Sequence, residues 1–218
     1  MYQPIIVNYQ STSSAYVANQ WLRTLPDIIA CDTEAAIKFT PEQLTAMQAE
    51  LDTGPPLRRA IELRAALSAT ALSHPYYVDL THVQIAWSES DAYVFILDNK
   101  RITDLVLNFL VSTTRTQIWH NATFDFSHIY YHTGKFPPNY EDSSILAKCI
   151  LNHVDVDQAT VGLKELAGKM YGSWSVSPDN FSKAQMYDPT LLLYAATDAC
   201  ATYWLYHSIR DYCESTKD

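Results

Sequence analysis

Apolar and polar positions alternate along the chain with two periods, which divide it into strands and helices. Residues 4–9 read as a strand and residues 13–23 as a helix. The run DIIACDTEAAI from Asp27 has the continuous apolar start of a core strand. In FTPEQLTAMQAELDTGPP, Thr40 suits an N-cap, Pro41 the first helical position, and Gln43 completes a capping box. Leu44, Met47 and Leu51 then recur at helical spacing until Gly54, Pro55 and Pro56 stop the helix. A second helix is expected over 57–72, so residues 38–80 read as a helical hairpin inserted after the first core strand. THVQIAWSES and AYVFILD predict an antiparallel hairpin, ITDLVLNFLVS an amphipathic helix, and TQIWHNATFD a strand with a polar end. Residues 126–133, 142–151, 161–170 and 189–213 are expected to be helical, the last capped by Asp188 with Pro189 behind it. This order predicts an α/β fold, a mixed five-stranded sheet flanked by helices, in a single domain spanning 1–218.

Composition supports a folded chain, because 48% of its 218 residues are hydrophobic and only 18% are charged. Five glycines argue against repeats and Gly-rich phosphate loops. The four cysteines show neither CxxC nor zinc spacing, so free thiols in a reducing compartment are expected. The N-terminus lacks the pattern of an export signal. The longest apolar run, 191–206, is interrupted by Asp198 and too short for a bilayer. These features predict a cytoplasmic protein with no membrane partner. A net charge of −9 disfavours gripping nucleic acid by bulk electrostatics, but not an enzyme whose acids are masked by local cations.

The acids are where the chemistry lies. Asp32 and Glu34 stand two apart, so both side chains leave the same strand face. Asp125 follows the later strand, and Tyr194 and Asp198 stand four apart on one helical face. An uncompensated Asp inside such an apolar helix costs on the order of several kcal/mol. Four carboxylates with no His or Cys form a donor set for hard cations, Mg²⁺ or Mn²⁺. Two such ions about 3.5–4 Å apart clamp an in-line displacement at phosphorus.

DTE, HNATFD and YAATD, in that order, resemble the three exonuclease motifs of the DEDD superfamily, which has an RNase H-like fold. Tyr194, with Leu193 rather than His before it, resembles the DEDDy branch, which includes the proofreading domain of family A DNA polymerases and ribonuclease D. EDSSILAKCILN and VGLKELAGKMYG resemble the helices that follow the second motif in the polymerase domains, so the likeness covers 27–210 outside the insertion. The resemblance implies a two-metal 3′→5′ exonuclease that releases 5′-mononucleotides from single-stranded DNA, in replication or proofreading. Two alternatives stay open: a ribonuclease D-like exoribonuclease, and a non-catalytic polymerase-accessory module. The absence of the extra helical RNA-binding domains usual in ribonuclease D tilts the expectation to DNA. A chain ending at Asp218 resembles a freestanding, phage-type nuclease working with a separate polymerase subunit.

By the same resemblance Asp32 bridges both ions, Glu34 and Asp198 complete one metal site, Asp125 holds the second ion, and Tyr194 orients the attacking water. Thr33 and Asn121 contact the terminal nucleotide, and Phe124 either joins them or packs in the core. The family's apolar wedge falls near Lys38, between Ile37 and Phe39. Asp142 is either a helix cap or a support for the site, and His120 either touches substrate or, as a lone His at a strand end more often does, serves as a structural hydrogen bonder. Lys164 and Lys169 are expected on a solvated face, Trp119 in the core, and Trp174 stacked on bases or in the core. Arg58, Arg59 and Arg64 suit phosphate contact, a charged outer helix face or a docking surface.

Overall fold

The computed structural model describes residues 4–68, 74–153, 162–171 and 183–216. Its elements run β1 (Asn8–Thr12), α1 (Ala15–Thr24), β2 (Ile28–Ile37), α2 (Pro41–Asp52), α3 (Leu57–Leu67), β3 (Val78–Ala86) and β4 (Asp91–Ile96). They continue as α4 (Lys100–Ser112), β5 (Thr116–Trp119), α5 (Thr123–Thr133), β6 (Tyr140–Asp142), α6 (Ser143–His153), α7 (Leu163–Ala167) and α8 (Pro189–Ser215). The sheet has six strands in the order β1-β4-β3-β2-β5-β6. β2–β3 and β3–β4 pair antiparallel, whereas β1–β4, β2–β5 and β5–β6 pair parallel.

The expected five strands thus become six. The additional strand, Tyr140-Glu141-Asp142, is too short and polar to show a period, and is held by backbone pairing with β5. The first strand lies at 8–12 rather than 4–9, because its polar residues suit an edge position beside β4.

Strand alternation divides the core into two layers. Ile29 and Cys31 of β2 face the cluster built with Leu22 of α1, Leu107 of α4 and Ile129 of α5. Ala30 faces the opposite cluster, which holds Ala167 of α7 and Ala196 and Cys200 of α8. Helix α8 is therefore apolar almost all round at its centre, and it lies across β2, β3 and β4.

The strand expected to run through to Asp125 instead ends at Trp119, which is fully buried as expected. Asn121 breaks it with a left-handed backbone (φ 58°), a conformation Asn tolerates better than most residues. Both oxygens of Asp142 hold this turn, accepting from the Asn121 and Ala122 amides at 3.0 Å. One of them also accepts from the Ser144 amide at 2.9 Å. Asp142 thus fills both roles left open for it: it caps α6 and fixes the start of α5, in whose first turn Asp125 lies.

Between β2 and β3, Thr40 and Gln43 form the expected capping box of α2, and α2 packs on α3. The Arg59 guanidinium forks onto Glu50 at 2.8 and 2.9 Å, and Arg58 approaches Glu62 at 3.4 Å. These two charges are matched inside the hairpin, which favours the charged outer face among the three readings of that segment. The expected end of α3 at 68–72 falls largely outside the described residues.

Candidate active site

Alternation on β2 builds the site from both sides of one strand. Asp32 and Glu34 emerge toward α8, where Asp198 meets them, and the three offer carboxylate oxygens within 4.8 Å of one another. Thr33 emerges on the other face and is buried. Its Oγ1 donates to Asp125 Oδ1 at 2.6 Å. Asp125 thus comes from the α5 layer and the other three acids from the α8 side, meeting around the middle of β2, which runs on past the acids to Ile37. A bulge sits at this place: Glu34 pairs with His82 but Ala35 pairs with Leu80, and the Thr81 hydroxyl donates to the Glu34 carbonyl at 3.1 Å. Such a bulge re-aims the strand just beyond the acids.

The acids repel one another. Burial first, then the charges of Asp125, Glu34 and Asp198, push Asp32 well above the usual carboxylate range. Glu34 is raised by burial, Asp198 and Asp125, against an opposing pull from Lys164. Burial lifts Asp125 to about 7, although the Thr33 hydrogen bond works the other way. At neutral pH such a group needs positive charge. An all-oxygen donor set this close suits a hard divalent cation, and Asp32, Glu34 and Asp198 could hold one between them.

A cleft of about 560 Å³ opens onto the cluster, and Asp32, Tyr194, Asp198 and Asn121 line it together with Lys148 and Lys164. Tyr194 itself is largely buried, one turn before Asp198 on α8. Asp32, Glu34, Asp198, Tyr194 and Asn121 therefore converge. Thr33 and Phe124 are not part of the cleft wall: Phe124 lies against His128 with centroids 4.5 Å apart. The Thr33 hydroxyl, expected at the terminal nucleotide, is bonded to Asp125. Alternation explains this, since a residue between two site acids must point away from both.

Three further residues depart from the sequence reading or escaped it. Lys164, expected on a solvated face, lines the cleft with its ammonium 4.4 Å from the Tyr194 ring centroid. Lys38 occupies the wedge position but anchors a turn, donating to the Pro75 and Tyr76 carbonyls at 3.2 and 2.9 Å. Gln84 pairs directly across from Asp32, is fully buried, and its amide has no partner among the described residues. No sequence signal marks Gln84, which sits in an otherwise ordinary strand. His120 is a hydrogen bonder as expected, its Nδ1 2.9 Å from Ser143 Oγ, and Trp174 lies outside the described residues.

Thr33→Val keeps the volume and removes the bond to Asp125. Turnover should fall about 10- to 100-fold, with weaker apparent Mg²⁺ affinity and little change in substrate KM. Steady-state kinetics across a Mg²⁺ series checks this; a raised KM at unchanged kcat would instead mark a substrate contact.

The fold and site have known counterparts. Brucella melitensis NrnC bound to pGG superposes with a TM-score of 0.58 at 19% identity, covering 98% of this chain and 83% of that one. NrnC with bound Mg²⁺ gives 0.53 at 17% identity, covering 98% and 83%. The catalytic core of Trypanosoma brucei RRP6 gives 0.62 at 11% identity, covering 95% of this chain and 48% of that one. Identities this low establish the shared RNase H-like fold. No curated protein matches the chain by sequence. The DNA_pol_A_exo1 family model, described as 3'-5' exonuclease, matches residues 70–214, a span holding Asp125, Tyr194 and Asp198 but not Asp32 or Glu34. The structure supplies the missing pair by bringing both within 4.8 Å of Asp198. The chain belongs to the DEDD-type 3'-5' exonuclease family, whose enzymes cut nucleic acid with two divalent metal ions.

Proposed function

We propose that this exonuclease removes nucleotides one at a time from the 3′ end of single-stranded DNA, releasing 5′-mononucleotides, and works beside a separate DNA polymerase in replication or proofreading. The observation that carries the reading is the convergence of Asp32, Glu34 and Asp198 within 4.8 Å, beside Tyr194 in a cleft. The match to the DNA_pol_A_exo1 family supports DNA as the polymer. Asp32, Glu34 and Asp198 would hold one ion, and Asp125, held by Thr33, would serve with Asp32 for the other. When bound, the ions supply a water ready to attack phosphorus and offset the charge that develops there. Tyr194 orients that water: a phenol with an ordinary pKa of about 10 is too weak a base at neutral pH to do more. Asn121 lines the cleft and meets the terminal nucleotide. Its left-handed backbone, fixed by Asp142, presents its side chain from the end of β5. The α2–α3 hairpin is an insertion within a single domain, outside the chemistry.

A second reading is favoured by what similar folds act on. Escherichia coli RNase D, an exoribonuclease involved in structured RNA processing, gives a TM-score of 0.55 at 16% identity, covering 96% of this chain and 46% of that one. The same acids serve RNA equally well. Incubation with 5′-labelled DNA and RNA oligonucleotides, in Mg²⁺, Mn²⁺ or EDTA, separates the readings. A ladder descending from the 3′ end of DNA, with metal only, is expected. Degradation of RNA alone would replace the first reading by the second, and degradation of neither would leave a non-catalytic accessory role.

A further inference from the structure

The cleft is bipolar: Asp32 and Asp198 stand in its wall with two cations, Lys148 of α6 and Lys164 of α7. Lys164 is the more telling. Its ammonium lies 4.4 Å from the centroid of the Tyr194 ring, in the same cleft wall as Asp32 and Asp198. A positive charge at this place opposes the carboxylate repulsion in the metal-free protein. The same charge must oppose the arrival of a divalent ion, because like charges at such range disfavour each other. A permanent surface lysine that only weakened the metal site would have no use in it. A lysine stem is long and flexible, however, and its head can turn to another anion in the same cleft.

We propose that Lys164 is an exchangeable counter-charge: in the metal-free protein it faces the acids across the cleft, and in the loaded enzyme its ammonium holds a non-bridging oxygen of the scissile phosphate. This rests on the exonuclease reading and adds to it a substrate-contacting residue outside the acid set. On loading, Lys164 stays over the Tyr194 ring, a contact a cation keeps while its head turns to another anion. From there it reaches the same phosphate whose attacking water Tyr194 orients. The charge that grows on phosphorus is then met by a cation that already stands in the cleft.

The test exploits two opposite effects of one substitution. Lys164→Gln should tighten Mn²⁺ binding, measured by calorimetry without substrate, by about tenfold, since a unit charge repelling the ion is removed. It should also weaken binding of a single-stranded oligonucleotide in Ca²⁺, read by fluorescence anisotropy, and lower kcat about 10²-fold. Lys164→Arg should restore oligonucleotide binding and most of the turnover, and Lys169→Gln, outside the cleft, should change none of these. A lysine that merely packs on Tyr194 would loosen metal and oligonucleotide together on loss, and Mn²⁺ affinity that is unchanged or weaker in Lys164→Gln overturns the proposal. The Mn²⁺ arm needs no cleavage, so a failed exonuclease reading, with wild type degrading nothing, is told apart from a failed lysine.

Discussion

Asp32→Asn should abolish 3′→5′ cleavage and at the same time raise the melting temperature of the metal-free protein. The two effects share a cause. Asp32 is the acid on which the most neighbours press, with Asp125, Glu34 and Asp198 all raising its pKa after burial itself. Its carboxylate is one of the three that could hold a metal ion, and an amide carries no charge to hold one there. Loss of Lewis-acid stabilisation worth several kcal/mol lowers turnover by about 10³-fold or more. Without metal the same charge is a liability, and removing it relieves repulsion among the remaining acids. For a chain of this size each kcal/mol relieved raises the melting temperature by about 2–4 °C. Asn has the same shape as Asp, so core volume is unchanged. Thermal melts with and without Mg²⁺, alongside a cleavage assay, check both halves. A variant that loses activity through misfolding would melt earlier than wild type, the opposite outcome.

A second large effect is expected from pH. Asp32, Glu34 and Asp125 all have pKa values raised in the folded protein, Asp125 to about 7. Unfolded carboxyls titrate near about 4. Between those values the folded protein holds more protons than the unfolded chain, so stability is greatest below the unfolded pKa and falls as pH rises through the folded one. The metal-free protein should therefore lose stability between about pH 4 and 7, by an amount on the order of 10 °C in melting temperature. Mg²⁺ or Mn²⁺, which competes with those protons, should restore it more strongly at pH 8 than at pH 5. His128 runs the other way: burial lowers it to about 4, so its contribution is lost as pH falls below its unfolded value. Comparison of wild type with Asp125→Asn cancels that background. The variant should show a flatter profile and a smaller metal-induced rise; parallel curves would mean that Asp125 is not charged and strained at neutral pH.

Much of the site was legible in the chain because it depends on local periods. Asp32 and Glu34 share a face by strand geometry alone, and Tyr194 and Asp198 by helix geometry. The capping residues Thr40 and Asp188 sit where a helix start needs them, and each accepts a hydrogen bond from its helix. What escaped notice has no period. Asn121 looks like part of a strand until Asp142, 21 residues later, gathers its amide into a left-handed turn. Lys164 looks like any exposed lysine on a short helix, and only the packing of α7 on α8 sets it over Tyr194. Gln84 is an ordinary strand residue until the β2–β3 register places it across from Asp32.

Spacing along single elements is enough to say which carboxylates share a face, what class of cation they suit, and in what order most of the strands and helices that carry them follow. The packing of the layers is what brings Asp125 in from the side opposite α8, bonds Thr33 to this acid, and stands a lysine among the acids. Those outcomes arise from contacts between elements far apart in the chain, such as the 92-residue separation closed by the Thr33–Asp125 hydrogen bond. No local period encodes such a contact, since it forms only once both layers have packed on the sheet.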